Sequence, residues 1–317
     1  MTDTQNEVFK SPVNKIRLFE HGAPGSQNLK LTRKYYTEDM PDGRVKHIVQ
    51  NITDPDIVPY IPDGIGNSTD RQRIPAVLII PGGAFRRLVY NFEGEDVAKW
   101  LNSMGIAAFV LECRLPSDEH DNAEDVPLID AMRAMRVIRG RAQEFGIDEA
   151  KIGVMGFSAG GFMAALLSTA YESDVYADYK YKDEYDKLSA RPDFAVCSYP
   201  VISIDDCIEA GKRYMSEEQV LERISDSKAK ILHKYNPDKL VRPDMPPVFI
   251  CETDDDRTTL SENSVGFYMA ARKAGVSAEL YIFRTGGHGY GCGDDFAQTG
   301  EWKVLFTKWI KSIGIIS

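Results

Sequence analysis

The sequence predicts a doubly wound α/β fold: a mostly parallel sheet with helices on both faces. Three observations carry this. Short continuous apolar runs, Ala76–Ile80 and Ile106–Leu111 among them, suit strands buried on both faces. Helical stretches alternate with them, the spacing of βαβ crossovers. Glycine turns follow directly on the strands, as in Pro81-Gly82-Gly83 after Ile80. A chain of 317 residues is long enough for two domains, but α/β architectures also use this length as one. The pattern favours one domain over residues 1–317. It has an N-terminal β-hairpin region (1–74) and a core (75–317) with a small helical, cap-like insertion at about 203–240.

Taken in order, residues 1–74 are rich in turn formers: Gly22-Ala23-Pro24-Gly25, Pro41-Asp42-Gly43 and Pro62-Asp63-Gly64. Between them lie two extended candidates, Leu29–Tyr36 and Val45–Asn51. The strand Ala76–Ile80 opens the core, then a helix over Gly94–Met104 and a strand over Ile106–Leu111. Over 127–145, Leu128, Met132, Met135 and Ile138 fall on one helical face, with Pro127 at the start and Gly146 beyond the end. A strand over Lys151–Met155 runs into Gly156-Phe157-Ser158-Ala159-Gly160-Gly161, and a small-residue helix follows to about Ala170. Later strands are expected at Phe194–Tyr199, Pro247–Cys251 and Ala278–Phe283, with helices at Ser261–Ala274 and Trp302–Ile313. Two segments interrupt the alternation. Residues 171–192 carry Tyr171, Tyr176, Tyr179, Tyr181 and Tyr185 among many charges. Residues 203–240 read as polar helix, with a capping-box start at Ser216 and Gln219.

Composition narrows the function classes. Lys and Arg number 38 against 48 Asp and Glu, a net charge of −10, which argues against a nucleic-acid partner. The 5 cysteines are odd in number and form no CxxC pair, so neither a disulfide scaffold nor a structural zinc site is expected. No apolar run is long enough to span a membrane, and the polar start Met1–Glu7 lacks the apolar core of a secretory leader. Both predict a cytoplasmic protein without a membrane partner.

The strongest chemical signal is Gly156-Phe157-Ser158-Ala159-Gly160, a G-x-S-x-G pentapeptide between a strand and a helix. A sharp strand-to-helix turn strains its central residue and needs small neighbours two positions away. It exposes the Ser158 hydroxyl at the carboxyl edge of the sheet and turns the Ala159 N–H toward an oxyanion formed there. The same glycines could also form a nucleotide-binding turn. The G-x-G-x-x-G spacing is absent, however, as is a following strand that ends in an acidic residue. A nucleophilic serine needs a base. His288, in Gly286-Gly287-His288-Gly289-Tyr290-Gly291, follows the last strand, where the order Ser, Asp, His places it. The acid belongs after the preceding strand, and there the chain reads Asp254-Asp255-Asp256; spacing alone does not choose among the three. Pro81-Gly82-Gly83-Ala84 after an early strand supplies the remaining part, with the Gly83 and Ala84 amides joining that of Ala159 in an oxyanion hole. Phe85 and Arg86, directly after that turn, and Phe157, beside the serine, are candidate substrate contacts. None of this chemistry calls for a metal or other cofactor.

These motifs together resemble the α/β-hydrolase superfamily, and within it the bacterial acetylxylan-esterase-like, xylanase-associated lipase/esterases. The resemblance runs from about residue 16 to 313. It is carried by Gly22-Ala23-Pro24-Gly25, Pro81-Gly82-Gly83-Ala84-Phe85, Arg114-Leu115-Pro116, Asp130-Ala131-Met132-Arg133-Ala134, Ile152–Gly161, Pro246-Pro247-Val248-Phe249 and Gly287–Gly291. Registering Asn263-Ser264 on the family pattern implies Asp256 as the acid. Thr259-Leu260 depart from the usual Val-Pro, and Ala84 from a glycine. The resemblance implies a serine ester hydrolase that works through an acyl-enzyme on short-chain esters, acetylated sugars or xylo-oligosaccharides above all. Its partner is then a small-molecule ester, and a homo-oligomer is compatible with it. Two alternatives remain: a prolyl-oligopeptidase-like peptidase, which shares the triad, and a non-catalytic binding protein on the same scaffold.

Overall fold

The structure is a computed structural model that describes residues 9–65, 73–213, 215–216, 218–219, 227–293 and 298–317. The strands in chain order are β1 (Ile16–Arg17), β2 (Lys34–Asp39), β3 (Val45–Gln50), β4 (Asp56–Tyr60), β5 (Ile74–Ile80), β6 (Leu88–Val89), β7 (Ala107–Glu112), β8 (Ile147–Phe157), β9 (Ala195–Ser198), β10 (Val248–Thr253) and β11 (Ala278–Phe283). The helices are α1 (Asp96–Ser103), α2 (Val126–Gly140), α3 (Ala142–Phe145), α4 (Ala159–Ala170), α5 (Ile204–Lys212), α6 (Ser227–Lys234), α7 (Ser261–Lys273) and α8 (Trp302–Ser312).

The central sheet has the order β1-β4-β7-β5-β8-β9-β10-β11. From β7 to β11 every pairing is parallel, and β4 and β1 extend the sheet antiparallel. A parallel sheet must be covered on both faces. α1 and α8 meet on one face, with Trp100 edge-on to Trp302 at 4.9 Å. α2 and α4 pack together against β8 on the other. Residues 76–80 of β5 and 107–111 of β7 are almost wholly removed from water, which is why these strands read as unbroken apolar runs. Because the strands from β7 to β11 are parallel, the segments after β5, β8, β9, β10 and β11 all emerge at one edge, where ligand sites form in this architecture.

The N-terminal region is more than a hairpin. β2 and β3 do pair antiparallel, from Lys34↔Gln50 to Asp39↔Val45, and a turn with Gly43 N–H donating to Met40 O closes them. The first of these strands begins at Lys34 rather than Leu29, and β6 adds a third strand. β1 and β4 belong to the central sheet instead. β1 pairs with only Ile57 and Asp56 of β4, so Pro59 stands where that side of the strand is an open edge, as a strand proline requires. The helix expected over 127–145 breaks at Arg141 (φ −103°, ψ 17°) into α2 and α3, and the expected start at Gly94 is taken by a π-helical turn, Asn91–Glu95.

Of the two interrupting segments, 171–192 packs down on α2. Tyr176 is buried and donates to Asp186 (2.8 Å), Tyr179 donates to Gly22 O (2.9 Å), and Arg133 binds Asp186 (3.0 Å). Only Tyr181 of the five tyrosines is strongly exposed. Within 203–240, both bonds of the expected capping box are present. Ser216 N–H donates to Gln219 Oε1 (3.0 Å) and Gln219 N–H to Ser216 Oγ (3.3 Å), although residues 214, 217 and 220–226 lie outside the described ones. After α6, Tyr235 is tied to Asp125 at the start of α2 (2.5 Å).

Candidate active site

The turn from β8 into α4 leaves Ser158 no ordinary backbone conformation: it has φ 54° and ψ −119°. A side chain on Gly156 would overlap Gly160 O, and one on Gly160 would overlap Ile80 O, so both flanking positions are sterically closed. Ser158 N–H donates to Ser198 O (3.0 Å), fastening the turn to the end of β9. Strain held this way keeps the hydroxyl at the sheet edge.

His288 meets that hydroxyl, with Nε2 2.8 Å from Ser158 Oγ. Its other nitrogen, Nδ1, lies 2.6 Å from Asp256 Oδ2. Gly287 precedes the histidine at φ +63°, and its N–H donates to Asp255 Oδ1 (2.8 Å) while its carbonyl accepts from Thr253 Oγ1 (3.0 Å). The aspartate trio thus divides: Asp256 faces the imidazole, Asp255 braces the histidine loop, and Asp254 is exposed. Asp256 is almost fully buried, and its Oδ1 accepts from the Thr258 and Thr259 amides (2.7 and 3.0 Å). Burial alone would push this carboxyl up. The His288 hydrogen bond and charge, with the Thr259 and Thr258 amides, outweigh burial and hold it below the usual carboxylate range. Thr259, where the family pattern has valine, adds a hydroxyl bond to Asp256 Oδ2 (3.0 Å), and the same hydroxyl is 3.2 Å from His288 Nδ1.

The glycine turn after β5 lies against the serine: a Cβ on Gly82 would stand 2.9 Å from Ser158 Cβ. Gly82 N–H is used internally, donating to Glu93 Oε2 (2.9 Å). Gly83 (φ +140°) and Ala84 (φ 57°) turn the chain there, and the Gly83 carbonyl accepts from the Arg86 amide at 3.2 Å. No acceptor among the described residues takes the Gly83 or Ala84 amide. Ala159 occupies the first turn of α4, where amides lack helical partners. Beneath the turn is a mainly apolar crevice of only about 10 Å³, room for little more than one water, lined by Gly83, Phe85, Leu115, Pro127, Ala159 and Met163 among others.

The three candidate substrate contacts separate. Phe85 lines that crevice, edge-on to Phe162 at 5.5 Å. Arg86 is exposed beside the turn. Phe157 is fully buried, its ring packed near Tyr199 and Trp302 (5.8 and 6.3 Å), so no face of it is left for a ligand; it belongs to the core that supports the elbow. Two residues not singled out from sequence also enter the site. Glu93, in the π-helical turn, is buried and accepts from Tyr199 Oη (2.9 Å) as well as from Gly82. Tyr199, just after β9, packs edge-on to His288 at 5.1 Å. Its position at the carboxyl end of a core strand was a readable signal, whereas Glu93 looks like any polar residue of a helical stretch. Among the described residues, no group of three or more His, Cys, Asp and Glu side chains is placed to hold a metal ion, and no helix is long and apolar enough to cross a membrane.

Residues 65–270 match the BD-FAE family. The acetylxylan esterase of Xylanibacter ruminicola is 31% identical over 240 residues, 75% of this chain, and the chain spans 45% of that relative's own length. The crystal structure of an acetyl ester-xyloside bifunctional hydrolase from Caldicellulosiruptor lactoaceticus superimposes with a TM-score of 0.70 at 34% identity, covering 96% of this chain and 97% of that one. A carboxylesterase from Lactobacillus plantarum shares the fold at 21% identity, with a TM-score of 0.67 over 90% of this chain and 99% of its own.

Proposed function

The chain belongs to the BD-FAE family and has the α/β-hydrolase fold of its esterase relatives, and from that premise we propose that it is a serine carboxylic-ester hydrolase that removes short acyl groups, acetyl first, from sugar hydroxyls such as those of xylo-oligosaccharides. The observation that carries this reading is the unbroken relay of Ser158 Oγ, His288 and Asp256, with links of 2.8 and 2.6 Å.

In the first half-reaction His288 Nε2 takes the Ser158 proton as Oγ attacks the ester carbonyl carbon. Asp256 fixes the Nδ1–H tautomer and stabilises the imidazolium. Amides of Gly83, Ala84 and Ala159 receive the oxyanion, a contribution worth about 10²–10³ in kcat for a single donor. His288 gives the proton to the sugar oxygen as its bond to the acyl carbon breaks, so the sugar departs as an alcohol and an acyl-Ser158 remains. Water, deprotonated by the same histidine, attacks the acyl carbon and releases the carboxylic acid. The crevice beside Gly83 and Ala159 has no room for a long acyl chain, which supports a short one, and the acetyl-ester activities named for the relatives supply the sugar.

The test compares three substrate sets: acetylated xylo-oligosaccharides followed by acetate release, p-nitrophenyl esters from acetyl to octanoyl, and a proline-containing peptide. The proposal expects acetate release and a kcat/KM that falls with chain length. Preference for octanoyl would exclude a deacetylase. Cleavage of the peptide without ester hydrolysis would favour the peptidase, and inactivity on all three a binding protein.

A further inference from the structure

The oxyanion turn and the histidine loop come from opposite ends of the chain, yet one hydrogen-bonded path joins them. Gly82 N–H donates to Glu93 Oε2 (2.9 Å), Tyr199 Oη donates to Glu93 Oε1 (2.9 Å), and Gly291 N–H donates to Tyr199 Oη (3.0 Å). Gly82 begins the turn that carries the Gly83 and Ala84 amides, and Gly291 ends the loop that carries His288. Gly82, Tyr199 and Gly291 lie in the segments that follow β5, β9 and β11, at the sheet edge that holds Ser158.

Both middle members are held by unusual backbone. Glu93 sits in the π-helical turn Asn91–Glu95, a local distortion that recurs at functional sites. That turn is anchored to β3, because Asn91 accepts from His47 N–H (2.9 Å) and donates to Val45 O (2.8 Å). Tyr199 has φ 37°, a conformation that a tyrosine rarely adopts, and its ring packs against both His288 (5.1 Å) and Tyr290 (4.5 Å). Space is closed as well: a Cβ on Gly82 would stand 2.7 Å from Glu93 Oε2.

Resting on the esterase reading above, we propose that Glu93 is a positioning residue which, through Tyr199, holds the oxyanion amides and the His288 loop at their working separation. Two acceptor oxygens face two donors, so a carboxylate suits both at once. A glutamine keeps one acceptor for the Gly82 amide but turns an N–H₂ toward Tyr199 Oη, which must then accept and leaves its own O–H without the acceptor it had. Burial pushes this carboxyl above its ordinary range, while His288, Tyr199 and the Gly82 amide pull it back. Catalytic geometry is sensitive to shifts near 1 Å, which can cost about 10²-fold in rate. The expected signature is therefore a loss in kcat with little change in KM, since Glu93 lies behind the turn and touches no substrate.

The experiment measures kcat and KM on p-nitrophenyl acetate for wild type, Glu93→Gln, Tyr199→Phe and the double variant, with Ser158→Ala as control. Expected are a kcat drop of about 10- to 100-fold in Glu93→Gln, a smaller drop in Tyr199→Phe, and KM within about threefold in both. The double variant should be no slower than Glu93→Gln alone, because both changes cut one path. A Glu93→Gln enzyme within threefold of wild-type kcat, a loss confined to KM, or multiplicative losses in the double variant overturns the proposal. If Glu93→Gln does not fold, Tyr199→Phe decides: a selective fall in kcat supports the path, and unchanged kcat overturns it. Inactive wild type, or active Ser158→Ala, marks failure of the esterase reading instead.

Discussion

Replacing Asp256 by asparagine tests the triad through hydrogen-bond polarity alone. Oδ1 of Asp256 accepts two amides, from Thr258 (2.7 Å) and Thr259 (3.0 Å), and Oδ2 faces His288 Nδ1 (2.6 Å). Asparagine can keep only one orientation there. Turning its N–H₂ toward the amides would leave both without this acceptor, at about 1–3 kcal/mol for the buried Thr259 donor and less for the exposed Thr258 one. Its carbonyl therefore stays with Thr258 and Thr259, and its N–H₂ points at Nδ1. His288 must then accept at Nδ1 and carry its proton on Nε2, 2.8 Å from Ser158 Oγ. A protonated Nε2 cannot take the serine proton. A wrong tautomer of this kind costs about 10⁴ in kcat, or about 5 kcal/mol of barrier. Stability adds a second readout. The folded carboxyl sits below its usual range, so its contribution is present above the unfolded value near 3.9 and is lost as pH falls through the folded one. The stability gap between wild type and Asp256→Asn should therefore hold steady at neutral pH and close in strong acid. The assay is p-nitrophenyl acetate hydrolysis beside Asp254→Asn, whose exposed side chain should leave kcat within twofold. An Asp256→Asn enzyme within tenfold of wild type, or an equally damaged Asp254→Asn enzyme, would refute the reasoning.

Thr259→Val removes the hydroxyl that bonds Asp256 Oδ2 while both amides remain. A loss of about 1–2 kcal/mol, five- to thirtyfold in kcat, is expected in steady-state kinetics. Arg114→Met strands Asp130, its partner at 2.6 Å with both side chains fully buried. Denaturant unfolding should register a loss of about 3–5 kcal/mol, and Arg114→Met/Asp130→Leu should recover much of it. Asp118 is pushed up to about 6, chiefly by burial, with the Ile52 amide and Ser117 opposing. A raised carboxyl means the folded state holds its proton more tightly, so stability falls as pH rises from about 4 to about 6. Asp118→Asn, which still offers an oxygen to Ile52 N–H, should melt higher than wild type at pH 7.5, by about 1–3 kcal/mol, and equally at pH 3.5.

Much of the architecture was legible because burial leaves a mark on composition. β5 and β7 are covered on both faces, so their segments read as unbroken apolar runs, and steric closure at Gly156 and Gly160 forces a recognisable pentapeptide. Ser158 and His288 could be placed from turn chemistry and chain order. Asp256 could not, since three adjacent aspartates differ only in where the chain points them; resemblance to the family singled it out, and in the structure it is the one that meets His288. β4 was missed because Asp56–Tyr60 is short, contains a proline and owes its strand state to pairing with β7. Phe157 was misread as a ligand contact because proximity in sequence to Ser158 says nothing about direction. In a strand successive side chains point to opposite faces, and this one points into the core. Glu93 left no trace, because its burial depends on a π-turn that only tertiary contacts stabilise.

The central claim, that Ser158 is the acyl-accepting nucleophile, is tested most directly by intact-protein mass spectrometry after treatment with an organophosphonate ester, followed by peptide mapping. The account predicts one adduct per chain, located on the peptide that carries Ser158, with loss of esterase activity in step with labelling and no adduct on Ser158→Ala. An adduct on another residue, or full labelling and activity in Ser158→Ala, would contradict it.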